Sequence, residues 1–587
     1  MTSQASGGPA GRAGLALTAV SIVTTFTVAV LGPSVMEPAL PGRGGQPPWA
    51  VDALPSPYLV VALTAFAIAA GTAGLALTLR ATRRGWTVSP WIILAAGVAA
   101  AAALAFVPPF GTSDHLSYAA YGRMVVTGHN PYTTTPAALA RLGDPVARAV
   151  QDWRTSPSVY GSLATGAQAF ASMIGGTSVR LTIFVLSWLN VAAFAVTGLL
   201  LHWMARGDPA RQLRAALLWT CNPLLLQVLI AGAHVDSQAV VCVVGALAVF
   251  SLGTVPGSRS QPGPAPGSVP GSRPRSAAGS RPASATRQAL AAAGAGGLIG
   301  AGFAIKATTA LAGAGLAIGC VLAWHTRRRP EPGNGRRQLA LVLGCLAAGF
   351  CVTAGASLAR WGLGTLTPAL REGSYVSIGS PWRAVRAALG LATGDSVAED
   401  LVKAGAVVLA MVLLALLLRS ISAASPGSWP QVHGLADASA DLSGGRRGSA
   451  GPAVVPVTGS FAVAASFAVV FAWLVAWPYV LPWYDGLGWA LLALLPFSRL
   501  DWLMLARTAA LAFGYLPGRT VLMPTGLGWL RTVVRTGVTP VVLLAVTVAL
   551  VIMLWPRRAA PVAAPSDGNP DGSAEGALRS QSGRLTS

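Results

Sequence analysis

A stretch near the start of the chain, GTSDHLSYAAYGRMVVTGHNPY at residues 111–132, concentrates polar and ionisable side chains that are scarce elsewhere. If its first part is helical, Asp114, Tyr118 and Tyr121 fall at positions i, i+4 and i+7 and share one face of the helix. A carboxylate held there could accept a proton from a hydroxyl group as a general base. The same residue types also suit a loop at a membrane surface, with the aspartate as a helix cap and the tyrosines as interfacial anchors.

Local signals set the bounds of this helix and predict a second one. Ser113 is the expected N-cap of the first helix, and Pro131 disfavours helical structure at Asn130. A second, short helix is expected to begin at Asp144, which is followed by proline. The apolar stripe of this second helix, which would lie on the membrane surface, comprises Val146, Val150 and Trp153.

The elements that must position these residues are membrane helices. Hydrophobic residues make up 53% of the 587 residues and charged residues only 10%. Apolar runs near the length that crosses a bilayer recur along the chain, which predicts an all-α polytopic membrane protein. The net charge of +22 comes from basic residues in short loops and linkers, so the positive-inside rule explains it better than nucleic-acid binding. The five cysteines lie in apolar segments without a CxxC pair, which predicts neither disulfides nor a zinc site.

The loops predict how the chain is oriented. A short loop with Arg80, Arg83 and Arg84 is typical of the cytoplasmic side, which places residues 108–178 outside and both termini inside. The first apolar run, 14–32, lacks a clear cleavage site, so an uncleaved helix is favoured over a signal peptide. Abundant alanine, glycine, proline and arginine indicate a bacterial protein, and hence a plasma membrane. The pattern as a whole gives roughly 14 helices.

The predicted organisation alternates membrane segments with loops and linkers. Two stretches and the C-terminal tail are rich in Pro, Gly, Ser and Arg, have no apolar periodicity and are predicted to be disordered. The first part comprises N-terminal transmembrane helices at 1–107, an extracytoplasmic loop with the candidate aspartate at 108–178, transmembrane helices at 179–253 and a cytoplasmic linker at 254–287. The second part comprises transmembrane helices at 288–418, which include an outer loop at 359–401, and a second cytoplasmic linker at 419–452. C-terminal transmembrane helices at 453–556 and a cytoplasmic tail at 557–587 follow.

Most other unusual polar groups fall at the predicted outer ends of helices. The apolar segment 289–324 is too long for one span, so two short helices are expected, with a turn near Lys306 on the outer side. The other outer-end candidates are His234, Asp236, Trp483 and Tyr484. The cytoplasmic side holds arginines and linkers, so any chemistry is expected outside.

Five motifs, in order, resemble those of the GT-C glycosyltransferases that use polyprenyl-phosphate-linked sugars. The similarity is greatest to the actinobacterial polyprenol-phosphomannose-dependent α-1,6-mannosyltransferases. The five motifs are SDHLSYAAYGRMVVTGHNPY, SPSVYGSLATG at 156–166, IAGAHVDSQAV at 230–240, IKATTAL at 305–311 and LPWYDGLGWALLALLP at 481–496. Ser162 replaces a proline of the second motif and Val235 replaces an asparagine of the third.

The resemblance implies a transferase fold with 11 or more transmembrane helices, hence roughly 11–14 together with the loop pattern, and interfacial helices in the first outer loop. It implies a hexosyltransferase that moves mannose from polyprenyl-phosphate-mannose to a glycan or glycolipid acceptor outside the cytoplasm. The reaction would invert the donor linkage and form α-1,6 bonds in a cell-envelope mannan or lipoglycan. Asp114 matches the catalytic base. The candidate substrate-binding residues are Tyr118, Arg123, Asn130, Tyr132, Tyr160, His234, Asp236, Lys306, Trp483 and Tyr484.

The leaving lipid phosphate is anionic and needs cationic or hydrogen-bonding partners. Candidates are Lys306 and Arg123 and, as weaker ones, Arg371 and Arg383. No cofactor is firmly predicted, but a divalent metal stays an open alternative, although the spacing of the relevant residues matches no zinc motif. Those residues are Asp114, His115, His129, His234 and Asp236.

Two other functional classes compete with the transferase. A transporter or flippase of lipid-linked sugars would carry ionisable groups at mid-helix and two halves with matching interrupted segments. A structural membrane protein would not need the aspartate in its motif. Membrane lipids are expected partners in every case, and nucleic acid in none.

Overall fold

The computed structural model describes residues 8–254, 281–326, 334–423, 457–519, 521 and 523–555, and these residues form helices joined by turns and loops, without a strand. Most of the two predicted linkers, from 255 to 280 and from 424 to 452, lies outside the described residues, as does the predicted tail. The predicted all-α fold is confirmed for the described part of the chain.

The helices before the first linker form the N-terminal part of the membrane domain, and α4 to α7 lie in the predicted first outer loop. They are α1 (Gly8–Leu31), α2 (Pro57–Arg83), α3 (Pro90–Ala105), α4 (Asp114–Val126), α5 (Pro136–Arg141), α6 (Pro145–Arg148), α7 (Ser162–Gly175), α8 (Val179–Met204), α9 (Pro209–Leu218), α10 (Pro223–Leu225) and α11 (Asp236–Thr254). A π-helical turn, Leu226–Ala231, continues α10.

The remaining helices follow the first linker. They are α12 (Arg281–Phe303), α13 (Ala310–Thr326), α14 (Asn334–Leu358), α15 (Leu366–Glu372), α16 (Trp382–Thr393), α17 (Asp395–Ala423), α18 (Val457–Ala476), α19 (Asp485–Ala493), α20 (Leu500–Gly514) and α21 (Thr539–Leu554). A π-helical segment, Leu530–Val538, leads into α21. Short 3-10 turns include Ala307–Thr309, Leu363–Thr365 and Pro482–Tyr484.

Length and composition identify the membrane spans. Nine helical segments in the described ranges are long and apolar enough to cross a bilayer, and α3 and the last part of α18 are shorter apolar helices. Several spans begin where the sequence signals a start, since α2 and α3 each follow a serine and have proline in the first turn. The nine spans and the two shorter helices make eleven apolar helices in the described residues, which is the lower limit of the predicted 11–14.

The predicted break in 289–324 is confirmed. Helix α12 ends at Phe303 and α13 begins at Ala310, while Lys306 between them is extended, with φ of −148°. Helix α12 begins at Arg281, within the segment that the sequence predicts to be linker.

Two buried ion pairs hold helices of the core together, and the sequence did not indicate either pair. Arg214 is buried in α9 and pairs with Asp501 of α20. Arg507 of α20 pairs with Asp485 at the start of α19. Charges are costly inside a membrane protein unless they are paired, so each cation requires its partner.

Candidate active site

Helix α4 carries the candidate base at its first residue. The Asp114 backbone N–H donates to Thr112 Oγ1 at 2.9 Å, so Thr112 provides the side-chain contact at this helix start. Ser113 is the N-cap residue, as predicted, but its side chain does not cap the helix, because the Ser113 hydroxyl donates to the Asp152 carboxylate instead. The position of Asp114 in the first turn is favourable for a carboxylate, since the helix dipole is positive there.

A cavity of about 470 Å³ opens beside α4. Asp114, Tyr118 and Tyr121 all line this cavity, which confirms that they share one face of the helix. Its volume lies within the range of sites for small organic ligands, roughly 300–1,000 Å³. The remaining wall comes from the loop after α4, from α15 and its flanking residues, and from the segment between α18 and α19. The lining residues in these parts include Tyr132, Trp153, Tyr160, Arg371, Tyr375, Tyr479, Trp483 and Tyr484, and Tyr515 at the end of α20 completes the wall.

His234 lies directly behind Asp114. Its Nδ1 is 3.9 Å from Asp114 Oδ2 and 3.4 Å from the Tyr118 hydroxyl. One face of the imidazole stacks on Trp483, with ring centroids 3.7 Å apart. The side chain of Asp114 keeps 15% of its surface exposed, whereas that of His234 is fully buried. The carboxylate therefore faces the cavity while the imidazole supports it from the protein side.

The backbone around His234 explains its orientation. The π-helical turn Leu226–Ala231 ends just before Ala233, which adopts a left-handed conformation with φ of 54°. Both features are uncommon and tend to occur at functional sites. They turn the chain so that His234 leaves the helix axis before α11 begins. Burial, with smaller contributions from Lys306 and His115, holds the pKa of His234 well below its ordinary value, so the imidazole is neutral at neutral pH.

Asp236 and Lys306 form an ion pair one layer further from the cavity. Lys306 Nζ donates to Asp236 Oδ1 at 2.6 Å and lies 3.9 Å from the centroid of the Tyr484 ring. The ammonium group thus supports the ring that lines the cavity, through a cation–π contact. The structure brings both predicted residues together, in contact with each other and behind the cavity wall.

Three predicted tyrosines form part of the wall itself. The Tyr160 hydroxyl donates to the Tyr118 hydroxyl at 3.1 Å, and the two rings meet edge to face. The Tyr132 hydroxyl lies 3.0 Å from Thr165 Oγ1, which ties the loop after α4 to α7. The arrangement gives the cavity flat aromatic faces with hydroxyl groups between them.

Arg123 and Asn130 are not among the cavity residues. Arg123 Nε donates to Asp144 Oδ2 at 2.7 Å, and the other oxygen of Asp144 accepts from two backbone N–H groups at the start of α6. The Asn130 side chain accepts from the Tyr132 N–H in a local turn. In this structure both residues shape the loop, so the prediction that they contact substrate has no geometric support.

The predicted interfacial helix after Asp144 is also corrected. The start at Asp144 is right, but α6 has only four residues. Val146 and Val150 are buried in a core cluster with residues of α4 and α8 and do not lie on a membrane. Trp153 falls beyond the helix and lines the cavity.

Some cavity residues could not be assigned from the sequence. Tyr375 follows α15, and Tyr515 follows α20. Neither lies in a motif, and only Tyr375 fell within a predicted outer loop, at 359–401. Arg371, a weaker candidate in the sequence, is the only cationic side chain among the described residues that line the cavity.

The five residues considered for a metal do not converge. Among the described residues, no three His, Cys, Asp or Glu side chains are arranged to hold a metal ion. Asp114 approaches His234, Asp236 approaches Lys306, and His129 contacts Thr127. His115 is fully buried on α4, where burial, aided by Arg519, lowers its pKa to about 3.

Comparison with known proteins agrees with the motifs. Residues 12–324 match the family described as alpha-(1->6)-mannopyranosyltransferase, N-terminal domain, a region that includes Asp114, His234 and Lys306. Alpha-(1->6)-mannopyranosyltransferase A of Corynebacterium glutamicum is 28% identical over 137 residues, which is 23% of this chain. The aligned part spans 28% of that relative's length. No solved structure matches the chain. Because the family match covers more than half of its residues, the chain belongs to the alpha-(1->6)-mannopyranosyltransferase family.

Proposed function

We propose that this protein is a membrane hexosyltransferase that moves mannose from polyprenyl-phosphate-mannose to a hydroxyl group of a glycan or glycolipid acceptor. The product would be an α-1,6 linkage in a cell-envelope mannan or lipoglycan. The observation that carries the proposal is the position of Asp114. This residue lies in the part of the chain that matches the family, and its carboxylate lines an aromatic cavity. Family membership favours transfer over the alternative of a transporter or flippase.

In the proposed reaction the acceptor oxygen attacks C1 of the mannosyl group. A carbon–oxygen bond to the acceptor forms as the bond from C1 to the phosphate oxygen breaks. Asp114 takes the hydroxyl proton, which is the step a carboxylate within about 3 Å can perform. Attack on the face opposite the leaving phosphate inverts the β-linked donor to an α product.

His234 positions the base in this scheme. A neutral imidazole leaves the negative charge of Asp114 available for the proton, and the Nδ1 edge faces both Asp114 and the Tyr118 hydroxyl. The stack on Trp483 fixes the plane of the ring. The neutral imidazole thus lies 3.9 Å behind the carboxylate, on the side away from the cavity.

The leaving polyprenyl phosphate is anionic and needs a cation. Arg371 is the best candidate, because its side chain lines the cavity. Lys306 is engaged with Asp236 and Tyr484, so it acts at longer range, through the ring that it supports. Nine helical segments of the described residues can cross a bilayer, so a donor with a polyprenyl chain would share the membrane with the protein.

Replacement of the base tests the proposal. We expect Asp114→Asn to lower mannosyl transfer by about 100-fold or more, in line with loss of a general base. Membranes carrying the variant receive labelled polyprenyl-phosphate-mannose and an α-1,6-mannoside acceptor, and labelled product is measured. Asp400→Asn is the matched control, since that carboxylate is 81% exposed and lies outside the cavity. A folded Asp114→Asn protein with wild-type transfer would refute the mechanism.

The proposed orientation has a separate test. We place the cavity outside the cytoplasm and both termini inside, because the arginine-rich loops fall on the opposite side of the membrane. A protease-cleavable tag inserted between residues 255 and 280 should be protected in intact cells and cut after lysis. Cleavage in intact cells would show that the protein has the opposite orientation, and the argument for a lipid-linked donor would then fail.

A further inference from the structure

Trp153 occupies an unusual position at the cavity. It lines the same cavity as Asp114, yet 41% of its surface is exposed. Burial of so large an aromatic ring is normally favourable, and exposed aromatics next to a cavity are commonly ligand contacts. The mechanism proposed above makes no use of this residue.

The backbone at Trp153 is held in an unfavourable conformation. Its φ is 58°, in the left-handed region that side chains other than glycine and asparagine seldom adopt. Contacts on both sides maintain it: Ser113 and Ser117 donate to Asp152, and the Arg154 carbonyl accepts from Ala137 N–H at 2.8 Å. Such strain persists where the surrounding structure imposes it, which is frequent at ligand sites.

A continuous set of aromatic rings leads from Trp153 to the catalytic residues. Trp153 lies nearly parallel to Tyr375, with an angle of 12° and centroids 6.3 Å apart. Tyr375 meets Tyr479 edge to face, and Tyr479 meets Tyr484 in the same way. Tyr484 adjoins Trp483, which stacks on His234. All the rings of this set that precede His234 line the cavity.

These rings differ in what they can recognise. Tyr484, Trp483 and the groups behind them surround the reacting centre, where the donor's mannosyl group must lie. Trp153 and Tyr375 come from two different loops, lie nearly parallel and are each more than one third exposed at the other end of the set. A pyranose presents an apolar face of C–H groups, which packs well on an exposed aromatic ring such as that of Trp153 and leaves its hydroxyls in water.

We propose that Trp153 and Tyr375 form a saccharide-binding platform for the acceptor, which holds a mannose unit of the growing chain outside the catalytic centre. The inference rests on the proposed function, and it assigns the acceptor class as an oligosaccharide of at least two sugar units. One unit presents its hydroxyl to Asp114 and another stacks on Trp153. A single mannose would reach only the first position and would bind more weakly.

Two variants and two readouts test the platform. In the full-length protein in lipid nanodiscs we expect Trp153→Ala to raise the KM for an α-1,6-mannotriose acceptor about tenfold, the loss of one aromatic stacking contact. The KM for polyprenyl-phosphate-mannose should stay unchanged, and Trp153→Phe should restore much of the acceptor affinity. Trp49→Ala is the matched control, because Trp49 is also half-exposed and stacked on an aromatic ring, Phe106, but does not line the cavity.

Direct binding separates this inference from the proposed function. Saturation-transfer NMR should detect mannotriose on the wild-type protein without donor, and the signal should be clearly weaker in Trp153→Ala and unchanged in Trp49→Ala. If the wild type binds mannotriose through Trp153 but transfers no mannose, the proposed function fails and the platform stands. An unchanged acceptor KM with unchanged binding in Trp153→Ala would overturn the platform, as would a rise in donor KM alone.

Discussion

Gly122, in the middle of α4, is where the position of the proposed base can be disturbed without altering any group that performs chemistry. A Cβ added there would lie 2.1 Å from the Gln168 carbonyl oxygen and 2.4 Å from its carbon, both in the backbone of α7. Ordinary contacts of a Cβ begin at 3.4 Å, so the two helices must separate by more than an ångström. Backbone cannot rotate away as a flexible side chain can, so Gly122→Ala must displace α4 and Asp114 with it.

The expected magnitude follows from two opposing effects. Alanine in place of a helical glycine stabilises by about 1 kcal/mol. Overpacking a well-filled interface lowers the free energy of unfolding by about 1–3 kcal/mol. Because the added Cβ of Gly122→Ala overlaps backbone atoms, its cost lies at the upper end of this range and exceeds the gain in helix propensity. A displacement of about 1 Å at a catalytic group lowers the rate by about 100-fold. We therefore expect a lower melting temperature together with a loss of turnover that exceeds any change in KM.

Gly166→Ala provides the matched control, because Gly166 lies in α7 and a Cβ there meets nothing within 4 Å. It should keep the wild-type transfer rate and melt at the same temperature or slightly higher. Purified variants in nanodiscs are compared by tryptophan fluorescence during heating and by initial rates of mannosyl transfer. If Gly122→Ala matched Gly166→Ala within about twofold in rate and melted at the same temperature, the reasoning about the close approach of α4 and α7 would be refuted.

Two further predictions concern charged groups outside the membrane spans. Burial and the nearby Asp52 raise the pKa of Glu37 to about 9, so the folded protein binds a proton that the unfolded chain releases above its ordinary value of 4.5. The free energy of unfolding should therefore fall as the pH rises from 4.5 to about 9. Glu37→Gln should flatten the dependence of melting temperature on pH between neutrality and 9, and an unchanged slope in the variant would contradict the raised pKa. Arg123→Ala should lower stability by about 1–3 kcal/mol by leaving Asp144 without its partner, while the KM values for donor and acceptor stay unchanged; a raised KM with unaltered melting would instead make Arg123 a substrate contact.

Several features follow from local sequence. The apolar runs, with Ser-Pro at the start of α2 and α3, predict the membrane helices because burial of a run of that length in lipid depends on composition alone. The break at Lys306 follows from the excess length of 289–324. The shared face of Asp114, Tyr118 and Tyr121 follows from helical periodicity. The motifs also predicted the family to which the chain belongs.

Only the tertiary structure decided which of these residues meet. The pairs Arg123 with Asp144 and Lys306 with Asp236 join segments that are 21 and 70 residues apart, and helical spacing says nothing about such distances. Burial in the folded protein also decides roles that the sequence left open. It keeps His234 neutral, and it places Val146 and Val150 in a core cluster and not on a membrane surface. The placement of Trp153, Tyr375 and Arg371 around one cavity likewise depends on how separate loops fold together. Sequence determines what each segment can form, while packing between distant segments determines which side chains share a site.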